Sequence, residues 1–145
     1  MINKITAGFL IAFAAAFVSC ANPVESAGEK MKGALQKMIE TVKSGTGQIK
    51  ASSVSGEIAS FINQTTDDSK KCIDIYNAAV ETNKLTPDQK AKAEEGLSAL
   101  IGEKIKVFGE FQSAIGESII RLSNNQAGIA EVQSALQNSK VFLNF

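Results

Sequence analysis

The stretch Leu85-Thr86-Pro87-Asp88-Gln89 begins the longest regular pattern in this sequence, which continues to about residue 122. Thr86 is a good helix N-cap because its hydroxyl accepts a hydrogen bond from a free N–H group of the first turn. Pro87 follows at the first helical position, where its missing N–H and its fixed φ favour a helix. Gln89 stands three residues after Thr86 and completes a Thr-x-x-Gln capping box. Together these signals predict a helix that begins at this point.

Apolar side chains recur in steps of three and four along this stretch, which is typical of one buried face of a helix. They are Ala93, Leu97, Leu100, Ile101, the stem of Lys104, Phe108, Phe111, Ile115, Ile119 and Leu122. Gly102, Gly109 and Gly116 interrupt the helix at every seventh residue, and each costs roughly 1 kcal/mol relative to alanine. They indicate either a seam where another helix packs closely or a break near Gly109 that makes two helices.

The rest of the chain after residue 21 has helical periodicity as well, and no strand pattern. Further helices are predicted over residues 29–42, 55–83 and 129–139. The run Ser44-Gly45-Thr46-Gly47 is expected to end the first of them. A polar patch over residues 65–69 favours a kink in the second. We therefore predict an all-α fold, a bundle of four or five helices that forms a single domain over residues 22–145.

Residues 1–21 have the pattern of a cleaved signal peptide. A lysine precedes an apolar run over residues 5–18, which is shorter than the roughly 20 residues that a transmembrane helix needs. Cleavage after Ala21 predicts a secreted, extracellular protein. The alternative is a bacterial lipobox, Phe17-Val18-Ser19-Cys20, which leaves the protein lipid-anchored at the cell surface through Cys20. No later apolar run reaches transmembrane length, so no membrane span is predicted.

Both forms of processing leave Cys72 as the single cysteine of the mature chain that can react, so no internal disulfide is expected. Cys72 lies on the apolar face of the second predicted helix, and this position favours a buried, inert thiol. A disulfide-linked dimer through Cys72 is the alternative.

Composition excludes several classes of chemistry. The chain has no histidine, so neither a Ser-His-Asp triad nor a histidine-activated cysteine can form. Zinc sites need histidine or several cysteines. The 15 basic and 15 acidic residues balance, whereas a nucleic-acid-binding surface needs a net basic field. We therefore predict a protein that is not an enzyme and has no metal, no cofactor and no nucleic-acid partner.

The apolar side chains around the glycine-rich helix form either a filled core or the walls of a cavity for a lipid-like ligand. The short connection over residues 82–84 predicts that the second helix and the long helix are antiparallel neighbours whose apolar stripes face each other. The predicted ligand-binding residues are Phe61, Ile62, Tyr76, Leu97, Ile101, Lys104, Phe108, Phe111 and Ile115. The hydroxyl of Tyr76 is expected to reach a polar head group, and the ammonium of Lys104 is expected to bind a fatty-acid carboxylate.

The spacing of one set of residues resembles that of a known family. The set is Leu85-Thr86-Pro87-Asp88, Leu97, Leu100-Ile101, Lys104, Phe108, Ile119-Ile120, Leu122, Leu136 and Ser139-Lys140-Val141. It is similar to the fungal hydrophobic surface-binding proteins, the family of HsbA and the cell-wall galactomannoproteins, over about residues 55–141. This resemblance implies a secreted helical bundle that binds hydrophobic surfaces or fatty acids.

A second similarity is to the nematode SXP-type secreted antigens, through Tyr76, Asn83, Leu85-Thr86 and Gln89. The resulting expectation is a secreted, non-enzymatic protein that binds hydrophobic surfaces or lipid-like ligands. A structural or host-interaction surface antigen, with a filled core and no small ligand, remains the alternative.

Overall fold

A computed structural model describes the backbone of residues 22–143 and the side chains of residues 22–139. Five helices span Pro23–Ala51 (α1), Ser55–Thr82 (α2), Pro87–Glu95 (α3), Ser98–Arg121 (α4) and Gln126–Leu143 (α5), and this described part contains no strand. The predicted all-α bundle is confirmed. The predicted signal peptide, with the alternative lipid anchor at Cys20, lies outside the described residues.

The four long helices form a ring in the order α1, α2, α5 and α4, with each helix packed against its two neighbours. α2 and α4 therefore lie on a diagonal of the bundle. The short helix α3 packs against α1 and carries the chain from α2 to α4.

Contacts at the helix ends establish the direction of each helix. The Arg121 guanidinium, at the end of α4, donates to the carbonyl oxygens of Ile49 at 2.8 Å and Ser52 at 3.2 Å, at the end of α1. Gly28, near the start of α1, faces Ala93 of α3, just before α4. α1 and α4 are therefore parallel. The tight link of Ser52 to Val54 makes α1 and α2 antiparallel.

α1 continues through the run that was expected to end it, so the predicted boundary at residue 42 is wrong. Gly45 lies directly against Thr65 of α2, where a larger residue would collide. The Thr46 hydroxyl donates to the carbonyl oxygen of Val42 at 2.8 Å, and Ile49 is fully buried one turn later. The helix persists because close packing against α2 and burial of Ile49 outweigh the low helix propensity of two glycines.

The N-terminal signals of α3 are confirmed. The Gln89 N–H donates to the Thr86 hydroxyl at 3.3 Å, and the Thr86 N–H donates to the Gln89 side-chain oxygen at 3.0 Å. The reciprocal pair is the predicted capping box, and Pro87 occupies the first helical position.

The long stretch is not one helix, and its break is not near Gly109. It divides at Gly96 and Leu97, between α3 and α4. The Leu97 N–H bonds the carbonyl oxygen of Glu94 at 2.8 Å, so the chain makes a tighter turn than the α-helix before α4 begins. Leu97 and Ala93 are both buried on either side of this turn.

The other two helix-shape predictions are also wrong. α2 runs unbroken through residues 65–69, and the Thr66 hydroxyl is satisfied within the helix, where it donates to the Ile62 carbonyl oxygen at 2.8 Å. α4 runs unbroken through Gly109. Its glycines form no seam inside the bundle: Gly102, Gly109 and Gly116 are exposed, and nothing lies within 4 Å of where a side chain would begin.

Two glycines of α1 provide a matched test of this packing. We expect Gly45→Ala to lower the free energy of unfolding by about 1–3 kcal/mol, because the added methyl group pushes α2 away at Thr65. Gly47→Ala is the control, since Gly47 faces open space, and it should raise that free energy by up to about 1 kcal/mol. Urea unfolding followed by circular dichroism measures both. Equal effects of the two substitutions would contradict the close contact.

Candidate functional site

The nine predicted ligand-binding residues belong largely to the core of the bundle. The buried members are Ile62, Tyr76, Leu97, Phe108, Phe111 and Ile115, and the partly buried members are Phe61, Ile101 and Lys104. Phe111 and Ile62 are completely inaccessible to solvent. The apolar stripes were therefore correctly identified as inward-facing.

The predicted arrangement of these residues, with two helices packed face to face, is wrong. α2 packs against α1 and α5, whereas α4 packs against α1 and makes a smaller contact with α5. The short connection at residues 82–84 leads into α3 and not into α4. Because α3 packs against α1, it carries the chain across the bundle before α4 begins. The residues from α2 and α4 thus approach the core from opposite corners of the bundle.

The Tyr76 hydroxyl has a partner that the sequence did not indicate. It donates to the Glu94 carboxylate at 2.7 Å and so joins α2 to α3. Lys90 approaches the same carboxylate at 3.7 Å. Burial raises the pKa of Tyr76 well above its ordinary value, and the hydrogen bond to Glu94 and the charge of Glu94 raise it further. The Tyr76 hydroxyl therefore holds α3 against α2. It was expected to reach the polar head group of a ligand, but its partner is the Glu94 carboxylate.

The pKa of Tyr76 leads to a prediction on alkaline stability. The folded protein keeps the phenolic proton at pH values where the unfolded chain, with a pKa near 10, loses it. The free energy of unfolding should therefore fall as the pH rises above about 10. Tyr76 is the single tyrosine of the chain, so ultraviolet absorbance reports its titration directly.

We expect no tyrosinate signal in the native protein near pH 10, and a normal titration in urea. Tyr76→Phe should abolish the part of the alkaline stability loss that this proton causes. A native tyrosine that titrates like the urea-unfolded one would contradict the buried Tyr76–Glu94 bond.

Lys104 lies at the edge of the core. Its ammonium nitrogen is 5.9 Å from the centre of the Phe108 ring, near the outer limit of a cation–π contact. Burial lowers the pKa of Lys104. Its proposed role as an anchor for a carboxylate stays a prediction.

Five grooves on the surface share a single residue, Leu97, with the predicted ligand site. One groove of about 420 Å³ lies between the start of α1 and the α3–α4 turn, and it includes Leu97 together with charged residues such as Glu29, Lys32 and Lys92. Four further grooves, lined mostly by polar side chains of α1, α2 and α5, include none of the other eight predicted residues. The predicted residues are therefore better described as packed core than as the wall of these grooves.

Cys72 is a free, buried thiol, as the favoured interpretation predicted. Only 1% of it is exposed, and burial raises the pKa of the thiol. The alternative of a disulfide-linked dimer through Cys72 stays a prediction. Among the described residues, no three His, Cys, Asp or Glu side chains are grouped closely enough to hold a metal ion. None of the described helices is long and apolar enough to cross a membrane.

Two features of the bundle escaped the sequence analysis. The first is a set of buried small and polar residues on four helices: Gly45 and Thr46 of α1, Thr65, Thr66 and Ser69 of α2, Ser118 of α4 and Ser139 of α5. We call this the polar seam. Within it the Ser69 hydroxyl has no hydrogen-bond partner among the described residues. The second is the outer face of α4, where Ile105 is 65% exposed and Ile120 is 74% exposed. Both isoleucines fall outside the predicted apolar stripe. This position was the signal in the sequence that could have indicated an exposed apolar face.

Comparisons of the chain with protein-family models, with curated proteins and with solved structures found no match. The resemblance to the fungal hydrophobic surface-binding proteins and to the nematode antigens therefore stays a prediction.

Proposed function

We propose that this chain is an exported, non-enzymatic protein that binds hydrophobic surfaces or lipid-like ligands with the inward faces of its helices. The observation that carries the proposal is the position of the predicted ligand-binding side chains. They lie in the core of a bundle of amphipathic helices, and Cys72 there is a free thiol, so no disulfide of the described chain holds the helices together. The apolar faces become available when the helices separate.

The energetics of such opening depend on where the apolar side chains go. Burial of a large aliphatic or aromatic side chain contributes about 1.5–3 kcal/mol, and exposure to water loses this amount. Contact with an apolar surface recovers most of this burial free energy, because the same side chains are removed from water again. Amphipathic helices bind interfaces in this way, with the apolar face in the nonpolar phase and the charged face in water.

The polar seam is the part of the core where separation costs least. Gly45 and Thr65 contribute little apolar area where α1 meets α2. The Ser69 hydroxyl, which is buried and finds no partner among the described residues, costs about 1–3 kcal/mol. The middle of α2 is therefore held less firmly than the aliphatic layers formed by Met31, Met38 and their neighbours.

The second candidate function is a structural or host-interaction surface antigen. The same buried residues favour it, because a filled core needs no ligand. This candidate requires that the bundle stay closed while it acts, whereas surface binding requires that it open. A reversible disulfide between α1 and α2 distinguishes these two candidate functions, because it holds the bundle closed until it is reduced.

The contact between Gly45 and Thr65 offers the site for that lock. A Cβ atom placed on Gly45 would lie 3.0 Å from the Cβ of Thr65, slightly closer than the about 3.5–4.5 Å that disulfides prefer. We suggest the triple variant Gly45→Cys, Thr65→Cys and Cys72→Ala, prepared as the mature chain from residue 22. Adsorption to alkyl-coated beads is compared for its oxidised and reduced forms, with bare silica beads as the control surface.

We expect the reduced form and the wild type to adsorb to the alkyl beads and the oxidised form to lose at least about tenfold in adsorption. Reductant should restore it. Equal adsorption of both forms would contradict opening along the α1–α2 contact. Absence of adsorption by the wild type would contradict surface binding itself and favour the second candidate.

Ser69 allows a test in which the protein carries no cross-link. Ser69→Ala removes the unpartnered hydroxyl, so the free energy of unfolding should rise by about 1 kcal/mol. A more stable bundle opens less often, and adsorption to the alkyl beads should slow correspondingly. Ser60→Ala is the control, since Ser60 is exposed on the same helix. Faster adsorption by Ser69→Ala would be inconsistent with the proposed opening.

A further inference from the structure

The outer face of α4 carries apolar side chains that the bundle does not use. Ile105 and Ile120 are largely exposed and lie about 22 Å apart along the helix. Between and beside them are Gly102, Gly109 and Gly116, each next to open space. An exposed glycine in a helix costs roughly 1 kcal/mol relative to alanine, and contacts within the bundle offset none of this cost.

Helical geometry divides this face into a groove and two flanks. At about 100° per residue, the three glycines, Ser113 and Ile120 fall within roughly 40° of one line along α4. Ile105 and the half-buried Ile119 lie on one side of that line, and Lys106 and Glu117 lie on the other side. The face is therefore a shallow groove with an apolar flank and a charged flank.

We propose that this face binds the same face of a second copy of the chain, with the two α4 helices antiparallel. A two-fold axis perpendicular to both helices brings each flank onto the same flank of the other copy. Apolar side chains then meet apolar side chains, and charged side chains meet charged ones. A parallel pair would instead place the apolar flank on the charged flank, which would desolvate Lys106 and Glu117 without a partner.

The positions of the charges and of the isoleucines specify one register of this antiparallel pair. When the axis passes between Gly109 and Ser113, Ile120 of one copy lies over Gly102 of the other. The same register places Lys106 beside Glu117 of the second copy, and symmetry makes this ion pair twice. Charge complementarity and the filling of a glycine gap by an isoleucine thus agree on a single arrangement.

Glu110 is the one charged group that this register does not pair across the axis. It lies at the rim, half exposed, and its carboxylate is 4.0 Å from the Lys106 ammonium of its own chain. Repulsion between the two Glu110 side chains is screened by water and salt there.

This inference goes beyond the proposed function, because it concerns an outer face of the closed bundle and uses none of the core residues. A contact made by one pair of helices belongs to the small class of interfaces, so a dissociation constant on the order of 10–100 µM is expected. Sedimentation velocity of the mature chain over a concentration series measures it without any hydrophobic surface present.

Gly109→Leu is the first variant, because it fills the groove at the centre of the pair. We expect it to weaken dimerisation at least about tenfold while leaving the melting temperature of the monomer unchanged or higher, since Gly109 faces open space. Gly33→Leu is the matched control: Gly33 is an equally open, exposed glycine on α1, and its replacement should leave dimerisation unchanged.

A charge exchange tests the register. Lys106→Glu and Glu117→Lys should each weaken the dimer several-fold, because each places like charges opposite one another. The double variant restores both ion pairs with reversed sign and should recover the wild-type dissociation constant. Recovery requires the antiparallel pair, since a parallel pair would not bring these two residues together.

A wild type that stays monomeric throughout the concentration series overturns the proposal. So does a dimer that Gly109→Leu and Gly33→Leu affect equally, or one that the double charge exchange fails to restore. Loss of adsorption to alkyl beads in Gly109→Leu, with a monomeric wild type, would identify a hydrophobic surface as the occupant of this face and would equally overturn the dimer.

Discussion

Burial of the apolar stripe of α1 is the constraint on which the rest of the bundle depends. α1 contacts α2 along one side and α4 along another, and α3 packs on its first turns. Its buried residues include Met31, Leu35, Met38 and Val42, which are inaccessible or nearly so. Gly45 has no side chain to add to this stripe, and the Thr65 side chain of α2 lies directly against it.

The stability of this protein comes from packing between helices, and its weak points follow from the same packing. The ion pairs of the described residues lie at the surface, where each contributes little. In α1 the polar seam lies between the buried Val42 and Ile49, and in α2 it lies between the buried Ile62 and Cys72. The opening that we propose along this seam would break no disulfide and expose no buried charge of the described residues. This property connects the architecture to the proposed binding of hydrophobic surfaces.

Apolar residues serve two different purposes on α4. Phe111 and Ile115 face inward and fix the helix on the bundle. Ile105 and Ile120 face outward, beside glycines that leave the backbone accessible. Inward burial explains the fold, whereas the outward face is the one for which we propose a second copy of the chain as partner. The proposed surface adsorption and the proposed pairing of two copies therefore involve separate sets of residues and can be tested separately.

Local interactions let the sequence alone determine much of this structure. The helix start at Thr86 was predictable because its capping bonds join residues three apart, and the inward faces were predictable because helical periodicity is itself local. The continuation of α1 through Gly45 was not, since it depends on Thr65 of another helix. The bond between Tyr76 and Glu94 and the diagonal position of α2 and α4 were not predictable either. Only the tertiary structure decides such features, because they arise from contacts between residues far apart in the chain, which no local pattern encodes.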